Sequence, residues 1–562
     1  MQLKYDFSTG GGGKYFRRYQ RGTNVVVLAP DVAKIFSNAE TVNYPNVRNW
    51  NSGQSVSERV KLGVMSTFTS LVSDHLAGEG RDEISLATLA GKFTITRTDE
   101  ALTPYGGLAA WSGFLKHLGI LERLAERCPV VRTSPNAAPV REVLHSFVAG
   151  ALVEGKRFCH VRWVMDDPAV ATVLGMARVR GEDALPRLAK GLDPARLRQW
   201  LNGPQTELYA ALPDRFIADW DSTVNTRYGQ QEDAAVGYNP HKRGRKSHHP
   251  LICVAARTRL CLHLEWRPGD TVSATDWQPA MEKLWLHPTI RQRLWLNRGD
   301  VGFGQEAIMA WHEAAGQTRP KYLFKLKLTN NVRRAIARVP WPQWAGAPTV
   351  GCQQLAETTV RLHGWSRERR IIILRTLKPT NPSPQDLFWE TPEDEVAVFV
   401  TNLERTDATL DQVALLYAQR ADTENVFDEL KNQWGFRGYC SGKAVVTELA
   451  ARLVLLTYNL WSLFTRLMGL NPGHHTEAIK SRRNFLFLAA QVVQSGRQRT
   501  LKLAVKADWW EVLKGCYQRL QSWLATTAPQ LESQGNFLRL LARQAIEDPL
   551  EWLAQPAPPP SD

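Results

Sequence analysis

The sequence has few cysteines, and none of them is spaced for metal binding. No CxxC motif occurs among the seven, which are Cys128, Cys159, Cys253, Cys261, Cys352, Cys440 and Cys516. This scatter argues against a zinc ribbon and against a disulfide framework. The odd number and the lack of a recognisable signal peptide predict a reducing, cytosolic environment. We also find no apolar run near the roughly 20 residues that a membrane-spanning helix needs, so no membrane partner is expected.

Acidic residues are fewer than basic ones. The 562 residues contain 55 Asp and Glu against 70 Lys and Arg, which gives a formal net charge of +15. With 43% hydrophobic residues, the chain can form three or four domains with sizeable cores. A broadly basic chain with 20 tryptophans suits an extended polyanion better than a small metabolite.

One stretch, residues 415–436, predicts a helix with an unusual polar stripe. It has no proline, has glycine only at its penultimate position, and is dominated by residues of high helix propensity. The stripe consists of four residues at offsets 0, 3, 7 and 14 along the chain, namely Tyr417, Arg420, Glu424 and Lys431. On an α-helix these offsets fall within an arc of roughly 60° around the helix axis. A carboxylate, two cations and a phenol on one face suit a metal ligand beside phosphate-binding groups. The alternative is a solvated face with an Arg420–Glu424 pair at i, i+4.

The middle of the chain predicts an α/β sheet. Strand patterns occur at 215–224, 251–256, 259–266, 293–300 and 321–328, with helical patterns before and after the fourth. This order of elements, three strands followed by a helix, a strand, a helix and a strand, is that of a ribonuclease H-like sheet. More strand-like runs follow within 330–400. Helical patterns cover about 103–201 and 440–555, and the PAPPPSD tail is expected to be disordered.

Three carboxylates stand where this topology would bring them together. Asp221 lies in the first strand, Asp300 ends the fourth, and Glu424 faces inward from the later helix. Two-metal phosphoryl transfer needs such a set, and magnesium prefers hard oxygen ligands. Asp219 points to the same face as Asp221 and stays an alternative ligand, while a turn role is the alternative for Asp300. Structural or solvated roles are expected of the acids that fall off the face of Glu424, namely Asp422, Asp428 and Glu429.

On these residues the sequence resembles the DDE transposases of bacterial insertion sequences, in the group with the pattern Y-x2-R-x3-E-x6-K. Every spacing of that pattern is matched by Tyr417, Arg420, Glu424 and Lys431. Other segments that resemble family motifs are DST (221–223), RGDVGF (298–303), YNPHKRGRKSHHPL (238–251) and LTPYGGLAAW (102–111). The resemblance covers roughly 90–470, more weakly to 550, and leaves the first 90 residues outside.

The resemblance implies cofactors and partners. It implies that two Mg²⁺ ions, with Mn²⁺ able to substitute, are held by the catalytic residues Asp221, Asp300 and Glu424. It implies phosphate contacts near the transposon end from Tyr417, Arg420 and Lys431. The implied partners are double-stranded DNA, as transposon ends and target, and a second copy of the chain in a homodimeric synaptic complex.

The predicted fold class is α/β, with a ribonuclease H-like catalytic core interrupted by a β-rich insertion domain and flanked by helical N- and C-terminal domains. The predicted domains are an atypical N-terminal extension (1–90), a helical domain that binds DNA ends (91–205), the first segment of the core (206–329), the insertion domain (330–405), the second segment of the core with the catalytic helix (406–470) and a helical C-terminal region with its tail (471–562). The start of the extension, 1–43, resembles antitoxin-like proteins, and we interpret the extension as a fusion.

Several basic and aromatic groups are further candidate DNA contacts. The run HKRGRKSHH (241–249) is expected to lie along the DNA backbone, with a solvated loop as the alternative, through Lys242, Arg243, Arg245 and Lys246. Its histidines, His241, His248 and His249, lack a second cluster that would complete a metal site. Two more basic runs, RERR (367–370) and KSRRNF (480–485), are phosphate-contact candidates. Candidates for stacking on a flipped base are Trp341, Trp344, Trp365 and Trp389.

The expected function is a transposase that binds terminal inverted repeats and catalyses metal-dependent DNA cleavage and strand transfer by a cut-and-paste route. One alternative is a catalytically silent, domesticated DNA-binding protein. The other is an antitoxin-like regulator that acts through the N-terminal segment. The expected location is the bacterial cytoplasm, in association with the nucleoid.

Overall fold

The computed structural model describes residues 83–316, 318–340, 344–346, 353–377, 395–469 and 475–526. Most of the N-terminal extension, the Pro-rich tail and two of the tryptophan candidates, Trp341 and Trp389, lie outside these ranges. The chain divides into two compact units, Met1–Asp99 and Glu100–Asp562. In the described residues of the first unit, Glu83–Thr88 (β1) and Gly91–Thr96 (β2) pair as an antiparallel hairpin.

The second unit contains the remaining strands and the helices. Its strands are Leu102–Thr103 (β3), Phe216–Ser222 (β4), Asn225–Thr226 (β5), Ala235–Val236 (β6), Lys246–His248 (β7), Leu251–Ala255 (β8), Cys261–Glu265 (β9), Leu294–Gly299 (β10), Lys321–Lys325 (β11), Ala345–Gly346 (β12), Gln353–Val360 (β13), Arg369–Thr376 (β14), Glu395–Thr401 (β15), Ala490–Ser495 (β16) and Gln498–Leu503 (β17). Its helices are Leu108–Leu118 (α1), Ile120–Glu126 (α2), Val140–Leu152 (α3), Arg162–Met165 (α4), Val170–Val173 (α5), Ala184–Ala189 (α6), Pro194–Glu207 (α7), Trp277–Trp285 (α8), Pro288–Arg293 (α9), Glu306–His312 (α10), Asn330–Ala337 (α11), Leu410–Ala418 (α12), Ala421–Asn432 (α13), Ala444–Met468 (α14), Ala478–Phe485 (α15) and Ala507–Thr526 (α16).

The central sheet has the strand order β12-β13-β14-β15-β11-β10-β4-β8-β9. The five strands predicted for the core are present, with ends within two or three residues of the sequence patterns. β10 runs parallel to both β4 and β11, whereas β8 is antiparallel to β4. The predicted neighbours, the first and fourth core strands, therefore do lie side by side.

Both faces of the sheet are buried, in two separate cores. Along β4, Phe216 and Ala218 pack on the face that carries the larger core, whereas Ile217 packs on the other. The same alternation occurs in β11, β14 and β15, because successive strand side chains point to opposite faces. The smaller core includes Val413 and Leu416 of α12. The odd-numbered residues of β4, including both aspartates, thus face the side on which α12 packs.

The strands between 330 and 405 extend the central sheet. β15 pairs antiparallel with β11, β14 with β15, and β13 with β14, so the described strands of this segment continue the core sheet by hydrogen bonding. The runs RRIIILRTL and VAVFVTNL form β14 and β15, as their patterns predict.

The C-terminal region is not helical throughout. The sequence patterns predicted helix across 440–555, but β16 and β17 form a hairpin that pairs with β3 to give a three-stranded sheet. The glycines of the LTPYGG segment explain this contact, since a Cβ on Gly107 would collide with the carbonyl oxygen of Phe485. The N–H groups of Gly106 and Gly107 instead donate to the carbonyls of Leu488 and Leu486. The hairpin is thus completed by a segment distant in sequence.

Among the residues that the structure describes, one helix, α14, is long and apolar enough to cross a membrane by length and composition. Its 25 residues include an 18-residue window of mean hydropathy 1.2, but 83% of that window is buried inside the protein. Glu448 within it accepts a hydrogen bond from Arg198 of α7 at 2.8 Å. This is the environment of a core helix.

A buried ion pair clamps β4 to β10. Arg298 donates from Nε to Asp219 Oδ1 at 2.6 Å and from Nη2 to Oδ2 at 2.7 Å, and both side chains are almost inaccessible to solvent. The Thr423 hydroxyl of α13 donates to the same carboxylate at 2.9 Å. Arg298 Nη1 also donates to the carbonyl oxygen of Leu416 in α12. One guanidinium–carboxylate pair therefore joins two strands and two helices.

We predict that Arg298→Met destabilises the protein by about 3–5 kcal/mol, because it leaves the Asp219 carboxylate buried without its counter-ion. The free energy of unfolding, measured by urea denaturation, checks this value. The matched control is Arg405→Met, which removes an arginine whose side chain is 77% exposed and pairs with Glu357. That change should cost less than about 1 kcal/mol. Equal losses in the two variants would contradict the role of the buried pair.

Candidate functional site

Asp221 and Asp300 lie together at the carboxyl ends of two parallel strands. Gly299 is opposite Trp220 in the register of β10 and β4, so the next residues of the two strands are Asp300 and Asp221. The Gly302 N–H donates to Asp300 Oδ1 at 2.9 Å, which fixes that carboxylate at the start of a short 3₁₀ turn. The Ser222 N–H donates to Asp221 Oδ1 at 2.7 Å. Local backbone donors thus orient both carboxylates.

The Asp221 carboxyl has an unusually high pKa. Burial, together with the nearby Asp300 carboxylate, raises its pKa to about 6 against the opposing effect of the Arg420 guanidinium. Two neighbouring carboxylates repel each other when both are ionised. Such a pair favours a bound cation.

The predicted single helix at 415–436 is two helices, with a break at Gln419 and Arg420. In a continuous α-helix the Arg420 N–H would donate to the Leu416 carbonyl. That carbonyl accepts from Arg298, and the Arg420 N–H donates to Tyr417 O at 2.9 Å instead. The buried arginine that clamps the strands therefore coincides with the change of helix.

Three of the four stripe residues gather around the acid pair. Arg420 Nη2 donates to Asp221 Oδ2 at 2.6 Å, so its partner is this aspartate rather than Glu424. Burial raises the pKa of Tyr417 to about 12, with further contributions from Asp300 and Asp221, and its ring packs on Phe399 with centroids 4.3 Å apart. Burial lowers the pKa of Lys431, while Asp221 acts in the opposite direction. Arg420 therefore contacts the acid pair directly, and Tyr417 and Lys431 lie within its electrostatic influence.

Glu424 is the residue that the structure does not bring into this group. Its side chain is exposed, and it makes no ion pair within the described residues. On α13 it lies four residues after Arg420 and seven before Lys431, which puts all three on one helix face. Glu424 therefore stands on the wall that faces Asp221 without contacting it.

The other acids have structural partners. Asp219, the alternative ligand, is occupied by Arg298 and Thr423. Asp422 pairs with Arg259, and Asp428 accepts from Asn432 at 2.6 Å. Glu429 is buried and accepts from His475 at 2.7 Å and from the Ala478 N–H at 3.0 Å. Asp422 and Glu429 lie off the face of Glu424, as expected, whereas Asp428, four residues after Glu424, lies on that face.

His249 is a site residue that had no role in the sequence-based hypothesis. Its Nδ1 is 2.8 Å from the carbonyl oxygen of Thr271, and its backbone is held by two hydrogen bonds to Arg267. Burial lowers the pKa of His249, and the charges of Asp300 and Lys431 also act on it. The imidazole is therefore fixed beside the acid pair. The only available signal was its position just before the second core strand.

The basic run 241–249 divides into an exposed turn and a buried strand. The four predicted DNA contacts are exposed on the connection from β6 into β7, where they are Lys242, Arg243, Arg245 and Lys246. His241 is also exposed. His248 is buried, accepts from Arg227 Nε at 3.0 Å, and has its pKa lowered to about 4 by burial and by Arg227. The turn thus presents its cations to solvent.

The two other basic runs are largely structural. Arg369 is buried between Glu306 and Glu313, and Arg370 pairs with Glu357. Arg482 is buried, donates to the Gln433 carbonyl at 2.7 Å and lies over the Trp434 ring. These three arginines are therefore poor phosphate contacts, contrary to the sequence-based hypothesis for their runs.

The described tryptophan candidates are partly covered. Trp365 is buried with 8% of its surface exposed, and the Arg369 guanidinium lies 5.2 Å from its ring centroid. Trp344 is half-buried, with the Arg375 guanidinium 4.0 Å from its ring centroid. Of these two rings, the structure leaves Trp344 more accessible to a base.

A divalent cation fits the chemistry of these side chains but has no preformed cage. Among the described residues, no three His, Cys, Asp or Glu side chains are arranged to hold a metal ion. Asp221 and Asp300 supply adjacent hard oxygen donors whose mutual repulsion a cation would relieve. Glu424 is a third carboxylate on the facing helix and is not engaged in an ion pair there.

Comparisons with known proteins agree with this chemistry. A family profile described as transposase DDE domain group 1 matches residues 90–524. Among solved structures, a cryo-electron-microscopy structure of the piggyBac transposase synaptic complex with hairpin DNA is similar over 80% of this chain and 88% of that chain. The sequence identity is 12% and the TM-score 0.33, a likeness too weak to support an argument about the site. No curated protein sequence matches the chain.

The family match covers most of the chain, from before the first helix to the last described one. It includes the acid pair and the helix that faces it. The chain therefore belongs to the DDE transposase family, group 1.

Proposed function

We propose that this transposase binds the inverted repeats at the ends of its element and catalyses metal-dependent DNA strand cleavage and strand transfer by a cut-and-paste route. We further propose that β4 and β8–β11 form a ribonuclease H-like core and that the chain works as a homodimer in a synaptic complex. The proposal implies a cytoplasmic, nucleoid-associated enzyme. The single observation that carries it is the adjacent pair Asp221 and Asp300, with cations on the facing wall.

The proposed metal ligands are Asp221, Asp300 and Glu424, with two Mg²⁺ ions, or Mn²⁺ in their place. When bound, such ions lower the pKa of a water molecule and neutralise charge on the scissile phosphate. The carboxyl of Asp221 must be ionised to act as a metal ligand, so metal binding requires loss of the proton from its oxygen.

The chain's own cations would position the DNA phosphate. Arg420 reaches Asp221 by one Nη2 donor, while its Nε is buried without a hydrogen-bond partner in the described structure. A phosphate in the site would offer that donor an acceptor and suits the two-donor geometry of a guanidinium. Lys431 adds a point charge, and Tyr417 a hydroxyl. The exposed cations of the 242–246 turn would follow the DNA backbone.

We predict that Asp221→Asn, Asp300→Asn and Glu424→Gln each abolish Mg²⁺-dependent nicking of DNA that carries the element's inverted repeats, while binding to that DNA is retained. Each variant removes one anionic ligand. Asp508→Asn is the matched control, because it removes an exposed carboxylate from a different helix, α16, and it should cut at the wild-type rate. If wild type binds the ends and never cuts them, the chain is a silent DNA-binding protein.

We predict a pH-dependent stability of the metal-free protein. The folded-state pKa of Asp221, about 6, lies above its ordinary value of 3.8, so its contribution is full below pH 4 and is lost as the pH rises to about 6. The free energy of unfolding of wild type minus that of Asp221→Asn should fall by about 2 kcal/mol from pH 4 to pH 7, measured in EDTA by denaturant unfolding. A difference that does not change with pH would contradict this assignment.

We predict that Arg420→Ala and Lys431→Ala each weaken binding to the inverted-repeat DNA about tenfold, since each removes one charge-assisted contact to phosphate. The slope of log Kd against log salt should fall by about one unit per variant. The measurement is fluorescence anisotropy across a salt series. Lys514→Ala removes an exposed lysine of α16, outside the predicted DNA-binding domain, and should leave both quantities unchanged. Unaltered affinity in both variants would refute the phosphate contacts.

A further inference from the structure

A basic and aromatic surface lies in the helical N-terminal domain and contains none of the individual residues predicted as DNA contacts. We call it the 156–163 patch, and it consists of Lys156, Arg157, His160, Arg162 and Trp163. The two cations at 156 and 157, together with Arg162 and Trp163, are all exposed, with 47% of the tryptophan surface open to solvent. An exposed indole among cations is a feature that nucleic-acid-binding surfaces use.

The tryptophan is held as a rigid platform. The His160 ring stacks on the Trp163 indole, with ring centroids 4.3 Å apart and planes 20° from parallel. The Lys156 N–H donates to His160 Nδ1 at 3.1 Å, which fixes the imidazole. Burial lowers the pKa of His160, and Arg157 and Lys156 lower it further. The imidazole therefore supports the indole as a neutral ring, and both cations lie close to it.

The patch is contiguous with the wall of the candidate active site. The turn after α13 touches the backbone of the patch, because a Cβ on Gly435 would lie 2.7 Å from the Lys156 Cα and one on Gly438 would collide with the Lys156 carbonyl. Arg437, between these glycines, is exposed and close enough to help lower the pKa of Lys431. The Asp221 carboxylate in turn acts to raise the pKa of Lys431. Cations therefore run from the acid pair to Trp163.

These cations lack carboxylate partners. None of Lys156, Arg157, Arg162 and Arg437 forms an ion pair with a carboxylate of the described residues, whereas most buried arginines of the chain do or are bound by carbonyls. A line of unneutralised charge that leads away from the site matches the phosphates of a nucleic-acid strand. The indole adds a requirement, since only an unstacked base can offer a ring face to it.

We propose that the 156–163 patch binds an unpaired stretch of the DNA strand that leaves the active site. In this arrangement Trp163 stacks on a base, and Lys156, Arg157 and Arg437 contact the flanking phosphates. The inference depends on the proposed function for the identity of the nucleic acid as DNA. Its binding step does not require catalysis, so the two can fail separately.

The test compares two DNA probes with the full-length protein in EDTA, where no cleavage occurs. One is a blunt inverted-repeat duplex, and the other is the same duplex with a tail of about ten unpaired nucleotides that contains 2-aminopurine. Wild type should bind the tailed DNA more tightly and change the 2-aminopurine fluorescence. Trp163→Ala should weaken tailed binding about tenfold and abolish that fluorescence change, with blunt binding unaltered. Trp163→Phe, which keeps a stacking ring, should retain most of both effects.

Matched controls separate the patch from general effects. Trp510→Ala removes a tryptophan of similar exposure, 41%, in α16 and should change neither quantity. Replacing Lys156 and Arg157 together by Ala should lower the salt slope for tailed DNA by about 1.4, at 0.7 per phosphate. Equal affinity of wild type for both probes, or equal losses on both probes in Trp163→Ala, overturns the proposal. Absent nicking in Mg²⁺ with a preserved Trp163-dependent tail effect would instead count against the proposed function alone.

Discussion

The buried ion pair between Asp219 and Arg298 is the constraint on which the site depends. Both charges are withdrawn from water, so each needs the other and the additional donors and acceptors around them. Thr423 and the Leu416 carbonyl supply those partners from two different helices. Any displacement of α12 or α13 from the strands would leave buried polar groups unpaired. The position of α12 and α13 relative to the carboxyl ends of β4 and β10 is therefore fixed.

This constraint divides two aspartates that differ little in sequence. Asp219 is engaged in the buried ion pair with Arg298. Asp221, two residues later on the same face, instead lies at the sheet edge where Asp300 begins its turn. Burial and the Asp300 carboxylate keep the pKa of Asp221 raised, although the Arg420 guanidinium opposes them. Electrostatic strain is thus concentrated at the position where a cation and a phosphate would relieve it. Glu424 stands on the facing helix, exposed and without an ion pair among the described residues.

Sequence periodicity predicted most strands and helices well, but it predicted helix breaks and the pairing of distant segments poorly. The core strands follow their alternating patterns because both faces of the sheet are buried and the register is fixed by burial. The break at Arg420 has no local signal, since it reflects capture of a carbonyl by an arginine more than a hundred residues away. Similarly, the hairpin at 490–503 completes a sheet with a segment near residue 102, and helical propensity could not indicate that pairing. Arg369 and Arg370 looked like surface cations because their glutamate partners are distant in sequence.

By itself, the sequence determined the strand order that makes Asp221 and Asp300 neighbours, the polar stripe of the facing helices and the family to which the chain belongs. These follow from local pattern and spacing, which the backbone geometry of strands and helices converts directly into position. The tertiary structure alone decided which aspartate is structural, that Arg420 pairs with Asp221 instead of Glu424, and that His249 lies beside the acid pair. It also joined the 156–163 patch to the active-site wall. Such pairings depend on which charges meet when the chain is packed and water is excluded, and spacing along the chain does not contain that information.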